Sequence, residues 1–210
     1  MIGLDGKKEG HQDGPRRRCV LSFEGRRLSP HEANRLLDLS FIFEVQERVE
    51  DAISLYSAVL AQYPLWADVH FRLGEAHEAQ GDLAGAEKAW SRAVGLNRNY
   101  ADAHRKLGEI LIDQGRYEEA LQHFEKILNT RVERRYADVH NNLGVAYEAQ
   151  ADLAKAEACY RQALEINPRY ERARFNLANV LDATGRGSEA QDEYRQVLAM
   201  NPKHGGGLQN

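Results

Sequence analysis

Cysteine is rare in this chain, and its distribution argues against two kinds of structure. The 210 residues include only two cysteines, Cys19 and Cys159, which lie far apart. Neither belongs to a CxxC pair or has a histidine at metal-ligand spacing, so the sequence indicates neither a disulfide framework nor a zinc site. Such cysteine usage fits a reducing compartment.

Long apolar stretches and an excess of positive charge are also missing. No run approaches the roughly 18 apolar residues of a membrane-spanning helix, and residues 1–15 contain no apolar signal-peptide core. We therefore expect a cytoplasmic protein that does not insert into a membrane. The formal net charge of -4 at pH 7 argues against nucleic acid as a partner, because phosphate recognition normally needs a basic domain or stripe.

Catalytic signatures are absent from the sequence as well. The pair His77-Glu78 does not extend to HExxH, and no P-loop or GxSxG pattern occurs. No nucleophile, base and orienting group can be assembled from the residues. We therefore predict a protein that is not an enzyme and that uses no cofactor.

What the sequence does contain is a repeat of about 34 residues. Residues 67–100 and 137–170 are identical at 18 of 34 aligned positions. The third copy carries two extra residues near 131–136. The five copies that the pattern defines are residues 33–66, 67–100, 101–136, 137–170 and 171–204.

Each copy shows two apolar stripes with helical spacing, separated by a short turn. In residues 137–170, Leu143 and Tyr147 belong to the first stripe, and Ala156 and Tyr160 belong to the second. Stripes at i, i+3, i+4 and i+7 predict a pair of antiparallel amphipathic helices. Strand-like alternation is absent from the sequence, so the fold class is predicted to be all-α.

The turn between the two helices is predicted to use a left-handed backbone. Gly81, Gly115 and Gly185 stand at this turn in three copies, where glycine readily ends a helix. Ala151 occupies the equivalent place in the fourth copy. We predict that Ala151 also has a positive φ, and that replacing it with glycine does not destabilise the protein.

The copies share residue types at fixed positions. They combine a Leu-Gly pair in the first helix, a small residue in the second helix, an aromatic residue four positions later, and in some copies a closing proline. These residues are Leu73-Gly74, Leu107-Gly108, Leu143-Gly144, Ala86, Ala120, Ala156, Ala190, Trp90, Phe124, Tyr160, Tyr194, Pro64, Pro168 and Pro202. In this pattern the chain resembles the tetratricopeptide repeat family. The resemblance covers about 170 residues and implies a right-handed α-solenoid of five helix-turn-helix repeats.

The regions outside the repeats are expected to be an arm and a short tail. We predict a flexible basic arm over residues 1–28, a repeat domain over residues 29–204, and a tail over residues 205–210. Ser29, Pro30 and Glu32 form a capping box that predicts the start of the first helix. Apolar residues at 20–23 either dock on the first repeat or belong to a solvated arm.

The resemblance also implies where a ligand binds. In this family the first helices of successive pairs line a concave groove that holds a peptide. The groove residues carried over to this chain are Leu37, Phe41, Phe71, Arg72, Arg105, Lys106, Asn142, Arg172, Phe175, Asn176 and Asn179. We expect the basic residues at 72, 105 and 106 to receive carboxylates, and the asparagines to pair with a peptide backbone. A solvated face with local ion pairs is the alternative for the charged residues.

Three histidines at one repeat position are predicted to be packing residues. His70, His104 and His140 recur in successive copies and suggest a ladder of metal ligands. Adjacent packed helices are about 8 to 10 Å apart, however, and metal–nitrogen bonds are about 2 Å long. We therefore predict no metal site.

The function that these observations favour is a non-catalytic scaffold that binds a protein or peptide partner in the concave groove. One alternative is a structural protein that forms dimers or filaments through an uncapped C-terminal repeat, because no capping helix follows the last copy. Another alternative is the regulatory part of a larger enzyme. The partner's identity does not follow from the sequence.

Overall fold

The computed structural model describes residues 27–129 and 136–200, and within these stretches the chain is entirely helical apart from turns. Ten helices occur in them: α1 (Pro30–Val45), α2 (Val49–Gln62), α3 (Ala67–Gln80), α4 (Leu83–Leu96), α5 (Ala101–Asp113), α6 (Tyr117–Leu128), α7 (Ala137–Ala149), α8 (Leu153–Ile166), α9 (Glu171–Ala183) and α10 (Gly187–Met200). The all-α fold class is confirmed. Outside the described residues lie residues 1–26 of the predicted arm, residues 130–135 in the region of the insertion, and residues 201–210, which include the end of the last predicted copy and the predicted tail.

The chain divides into two compact units, residues 1–64 and residues 65–210. The first unit contains the hairpin α1–α2. The second unit contains four hairpins, in which α3 pairs with α4, α5 with α6, α7 with α8 and α9 with α10. In the second unit each hairpin also packs on the next, through α4 on α5, α6 on α7 and α8 on α9.

The first helix begins at the predicted capping box. The Ser29 hydroxyl accepts a hydrogen bond from the Glu32 amide, and the Glu32 carboxylate accepts one from the Ser29 amide at 2.9 Å. Leu28, just before the cap, is buried, and its carbonyl accepts a bond from the Tyr63 hydroxyl at 2.6 Å. These contacts hold the start of α1 against the end of α2.

A glycine in the first helix and an aromatic ring in the second helix interlock in three successive repeats. A Cβ added to Gly74 would lie 2.3 Å from the Trp90 side chain, and one added to Gly144 would lie 2.4 Å from Tyr160. Gly108 has the same relation to Phe124, at 2.4 Å. Because the missing side chain leaves room for the ring, all three rings are fully buried. The small residues therefore belong to the core, as the sequence predicts.

All five hairpins turn through a left-handed residue at the same repeat position. Their φ angles are 58° at Glu47, 82° at Gly81, 73° at Gly115, 60° at Ala151 and 78° at Gly185. The predicted positive φ of Ala151 is confirmed. Glu47 was not singled out from the sequence, because the first copy matches the repeat pattern least well and has no glycine there.

Candidate functional site

The first helices of the second unit form one continuous surface, which we call the first-helix surface (α3, α5, α7 and α9). Helix α7 contacts both α5 and α9. Side chains connect the helices in turn: Lys106 on α5 reaches Glu78 on α3, and Asn176 on α9 donates to Asn141 on α7. The predicted ligand residues of this unit therefore lie on adjacent helices.

Every predicted ligand residue keeps part of its side chain exposed. Arg72, Arg172 and Phe175 are exposed, and the last of these is 48% accessible despite being apolar. The half-buried ones are Phe71, Arg105, Lys106, Asn142, Asn176 and Asn179. Leu37, half-buried, and Phe41, exposed, belong to α1 of the first unit and are described there alone.

Two of the three predicted carboxylate receptors are already paired within the chain. The Arg105 guanidinium lies 3.1 Å from Glu109 and 3.8 Å from both Asp102 and Asp138. Burial raises the pKa of Glu109, and Arg105 acts against that rise. The Lys106 ammonium lies 2.6 Å from Glu78, so each of these two cations already has a carboxylate partner within the chain.

Acidic residues dominate three of the four helices, which sequence reasoning missed. Helices α3, α5 and α7 together carry eight carboxylates and three cationic residues. Three of the carboxylates, Asp68, Asp102 and Asp138, stand at the second position of successive repeats. These recurring aspartates can be seen when the copies are aligned, so the sequence did contain a signal for the acidic surface. Helix α9 is balanced, with two acidic and two basic residues.

The asparagines form a short hydrogen-bonded chain. Asn141 is fully buried; its Nδ2 donates to Asn142 Oδ1 at 3.3 Å, and its Oδ1 accepts from Asn176 Nδ2 at 3.0 Å. Among the described residues, Asn142 Nδ2 and Asn176 Oδ1 have no hydrogen-bond partner. One donor and one acceptor therefore remain on neighbouring helices. Asn179 differs, since its Oδ1 accepts from the Tyr194 hydroxyl at 2.7 Å.

Tyrosines precede three of the first helices, and sequence reasoning missed them too. Tyr100, Tyr136 and Tyr170 cap the start of α5, α7 and α9. The Tyr100 ring lies 5.1 Å from the Phe71 ring. Burial, together with a hydrogen bond to Asp68, raises the pKa of Tyr100 to about 12. The Tyr100 ring therefore borders the first-helix surface and stays uncharged at neutral pH.

Two open cavities lie beside these tyrosines. One, of about 380 Å³, is lined by Tyr136, Ala137, Asp138, Ile166, Asn167 and Tyr170. The other, of about 450 Å³, is lined by Tyr170, Glu171, Arg172, Phe175 and Val197. The second cavity thus includes two of the predicted ligand residues. The lining of the first cavity includes one aspartate and two tyrosines.

The histidine column does not act as one group. The His104 Nε2 is 3.0 Å from the Arg98 carbonyl, and its Nδ1 is 2.9 Å from Nδ1 of His123, on the second helix of the same repeat. Arg174 occupies the equivalent place in the last repeat and bonds to the Pro168 carbonyl and to Glu193. Over residues 27–129 and 136–200, no three metal-ligating side chains come together.

The tetratricopeptide repeat profile matches most of the described chain. It matches residues 61–133 and 99–169, and a second profile of the same description matches residues 147–206. None of the helices in the described part of the chain has the length and apolar character needed to cross a bilayer.

Two curated relatives share part of this sequence. An uncharacterised protein of Haemophilus influenzae is 35% identical over 99 residues, which is 46% of this chain and 52% of that protein. The human protein O-mannosyl-transferase TMTC1 is 27% identical over 145 residues, 68% of this chain and 16% of the transferase. The chain therefore spans about half of the first relative and a small part of the second.

Solved structures share the fold at low sequence identity. The MamA protein superposes with a TM-score of 0.74 at 20% identity, covering 85% of this chain and 96% of MamA. YrrB, described as a TPR protein with an unusual peptide-binding site, gives a TM-score of 0.71 at 14% identity, covering 82% of this chain and 88% of YrrB.

Proposed function

The chain belongs to the tetratricopeptide repeat family, and from this we propose that it is a non-catalytic scaffold that binds an extended segment of a partner protein. The segment lies across the first-helix surface. The observation that supports this most directly is the pair of unused amide groups on Asn142 and Asn176. A peptide bond offers one acceptor and one donor, which match Asn142 Nδ2 and Asn176 Oδ1.

The buried Asn141 keeps these two amides in place. Its Oδ1 accepts from Asn176 and its Nδ2 donates to Asn142, so the orientation of each exposed amide is set by a fully buried neighbour. Groups held in one orientation lose little freedom when a ligand binds. Such contacts recognise backbone and leave the partner's sequence to be read by other residues.

The exposed Phe175 supports the same surface. Large apolar side chains that stay accessible beside polar groups are typical of interaction sites. Phe175 lines the cavity of about 450 Å³ together with Arg172, which is also exposed. One apolar and one cationic contact are therefore available beside the asparagines. YrrB, whose fold is similar, is described as having a peptide-binding site.

The test is a selection of binding peptides followed by affinity measurements. Peptides selected from a random display library on the purified chain are labelled with fluorescein, and their anisotropy is titrated against variants. We expect the double variant Asn142→Ala, Asn176→Ala to bind about tenfold more weakly, since two hydrogen bonds are lost. The control Asn99→Ala changes an exposed loop asparagine and leaves affinity unchanged. Equal binding by all three proteins would move the site elsewhere.

Arg105 and Lys106 are poor positions for a charge-reversal test. Both form ion pairs with neighbouring helices, so replacing them with glutamate places like charges together inside the surface. Loss of binding would then report damage to the fold. The asparagine double variant keeps every charge and avoids this problem.

Self-association through the last repeat is a second candidate. Helix α10 buries only Ala190 within the described residues, and Leu198 on it is 49% exposed. The equivalent helices α4, α6 and α8 are covered by a following hairpin. Size-exclusion chromatography with light scattering tests this by measuring the molar mass in solution. If the wild-type chain forms a dimer, Leu198→Glu should shift the measured mass towards that of the monomer. A wild-type chain that stays monomeric at high concentration contradicts self-association.

The remaining sequence predictions stand as proposals. A role as the regulatory part of a larger enzyme is compatible with the human relative, in which the matched segment is 16% of a protein named as a transferase. We keep the cytoplasm as the proposed location because the two cysteines show no pairing pattern. The five repeat boundaries and the absence of a nucleic-acid partner are likewise proposed.

A further inference from the structure

We propose that the partner segment is basic, and that one of its lysine or arginine side chains occupies the cavity formed by Tyr136, Asp138 and Tyr170. This inference rests on the proposed function, since it names the chemistry of the segment that the first-helix surface binds. It differs from the sequence expectation, which had basic residues of the groove receiving carboxylates.

The charge of the surface is the first argument. Eight carboxylates and three cations lie on α3, α5 and α7, and two of these cations, Arg105 and Lys106, are ion-paired within the chain. Only Arg72, on α3, is exposed without an ion-pair partner among the described residues. A surface with an excess of negative charge, as on α3, α5 and α7, raises the local concentration of positively charged ligands and disfavours negatively charged ones. An acidic segment is therefore disfavoured here.

The walls of the cavity are the second argument. Two tyrosines line the cavity: Tyr136, which is 39% exposed, and Tyr170. A cation over an aromatic face is stabilised by about 0.5 to 2 kcal/mol, depending on how much water is excluded. Ala137 and Ile166 complete the lining with apolar surface, which suits the methylene stem of lysine or arginine.

The carboxylate in the cavity is the third argument. Asp138 is partly exposed, and its one ion pair with a described residue is with Arg105 Nε at 3.8 Å, longer than a hydrogen bond. Arg105 makes its shorter contact, 3.1 Å, with Glu109. Asp138 therefore keeps acceptor capacity for a second cation. The pKa of Tyr170 is raised, first by burial and then by Asp138 and Glu109, against a lowering effect of Arg172.

The volume of the cavity agrees with this occupant. About 380 Å³ is ample for one long side chain and its bound water, and the opening faces solvent. The corresponding space one repeat earlier, lined by Asp102, Arg105 and Tyr136, is nearly filled. Arg105 lines that earlier space, and its guanidinium lies 3.8 Å from both Asp102 and Asp138. Only the cavity beside Asp138 has room for a further cation, because the space beside Asp102 is nearly filled.

The experiment compares two fluorescein-labelled probe peptides of equal length, one alternating alanine and lysine and the other alternating alanine and glutamate. We expect the lysine probe to bind more tightly, and its affinity to fall as salt rises. Asp138→Asn should weaken the lysine probe about fivefold to tenfold. Glu118→Gln, on the exposed start of α6, is the matched control because it removes the same charge without touching the cavity.

The outcomes separate this inference from the proposed function. If Asp138→Asn and Glu118→Gln weaken the lysine probe equally, or if the glutamate probe binds as well or better, the basic-segment inference is overturned. The proposed function then still stands provided that the asparagine double variant weakens binding of the selected peptides. Failure of the lysine probe to bind at all also overturns the inference. Tyr170→Leu is a second test of the cavity, because it removes one aromatic ring and leaves the charge of Asp138 unchanged.

Discussion

Replacing Ala151 with glycine should stabilise the protein, because the turn holds this alanine at a φ of 60°. A left-handed backbone costs a residue with a Cβ about 1 to 2 kcal/mol. Glycine avoids this cost, but its greater freedom in the unfolded chain costs about 0.5 to 1 kcal/mol. The expected net gain in the free energy of unfolding is about 0.5 to 1 kcal/mol.

The surroundings of Ala151 introduce no opposing term of similar size. The residue is exposed, so its methyl group contributes little apolar burial. The turn is held by backbone bonds, from the Ala151 amide to the Glu148 carbonyl at 2.9 Å and from the Asp152 amide to the Tyr147 carbonyl at 3.0 Å. Glycine makes the same bonds.

Urea unfolding followed by circular dichroism measures the gain as a higher midpoint with an unchanged slope. Gly115→Ala is the reverse control: its φ is 73° and an added Cβ meets no atom within 4 Å, so only the backbone cost changes. It should lose stability by about the amount that Ala151→Gly gains. A lower midpoint for Ala151→Gly, or no loss for Gly115→Ala, would refute the reasoning.

Three further predictions concern the core. Gly144→Ala should lower the free energy of unfolding by about 1 to 3 kcal/mol in the same urea assay, because its Cβ would lie 2.4 Å from the Tyr160 ring. Burial, and then the neighbouring His104, lowers the pKa of His123 to about 4. Because the folded state disfavours protonation of His123, the free energy of unfolding should be highest above about pH 6.5 and should decline as the pH falls towards 4. In urea midpoints measured against pH, a His123→Gln variant should show a smaller decline, and an unchanged decline contradicts the assignment. Arg174→Met should cost roughly 3 kcal/mol in thermal unfolding, because it leaves a largely buried carboxylate without its partner.

The sequence predicted the hairpins well because their determinants are local and repeated. A capping box, a glycine at the turn and an apolar stripe each act within a few residues. A feature recognised in one copy therefore predicts the same feature at the same position of the other copies. Ala151 shows the strength of this argument: its left-handed backbone followed from the glycines at the same place in other copies. Glu47 shows its limit, since the first copy departs furthest from the pattern.

The state of the candidate site was harder to predict, because it depends on neighbouring helices. Arg105 was predicted to receive a carboxylate of the ligand. In the structure, α7 places the carboxylate of Asp138, 33 positions further along the chain, 3.8 Å from the Arg105 guanidinium. Asn141 shares its repeat position with residues that keep some exposure, yet it is fully buried. Neither outcome can be inferred from spacing within one helix. The groove residues as a ligand-binding set, and the boundaries of the domain, stay predictions.

The interlocked glycine and ring in three of the hairpins also restrict which substitutions this sequence can accept during evolution. A larger residue in place of Gly108 collides with Phe124, whereas a smaller ring partner would leave a void, so lone replacements on either side are selected against. The last repeat shows a tolerated combination: Ala178 replaces the glycine, and Tyr194 is only partly buried. During evolution, the glycine position and the aromatic position of a repeat should therefore change together, and each repeat should be able to change independently of the others.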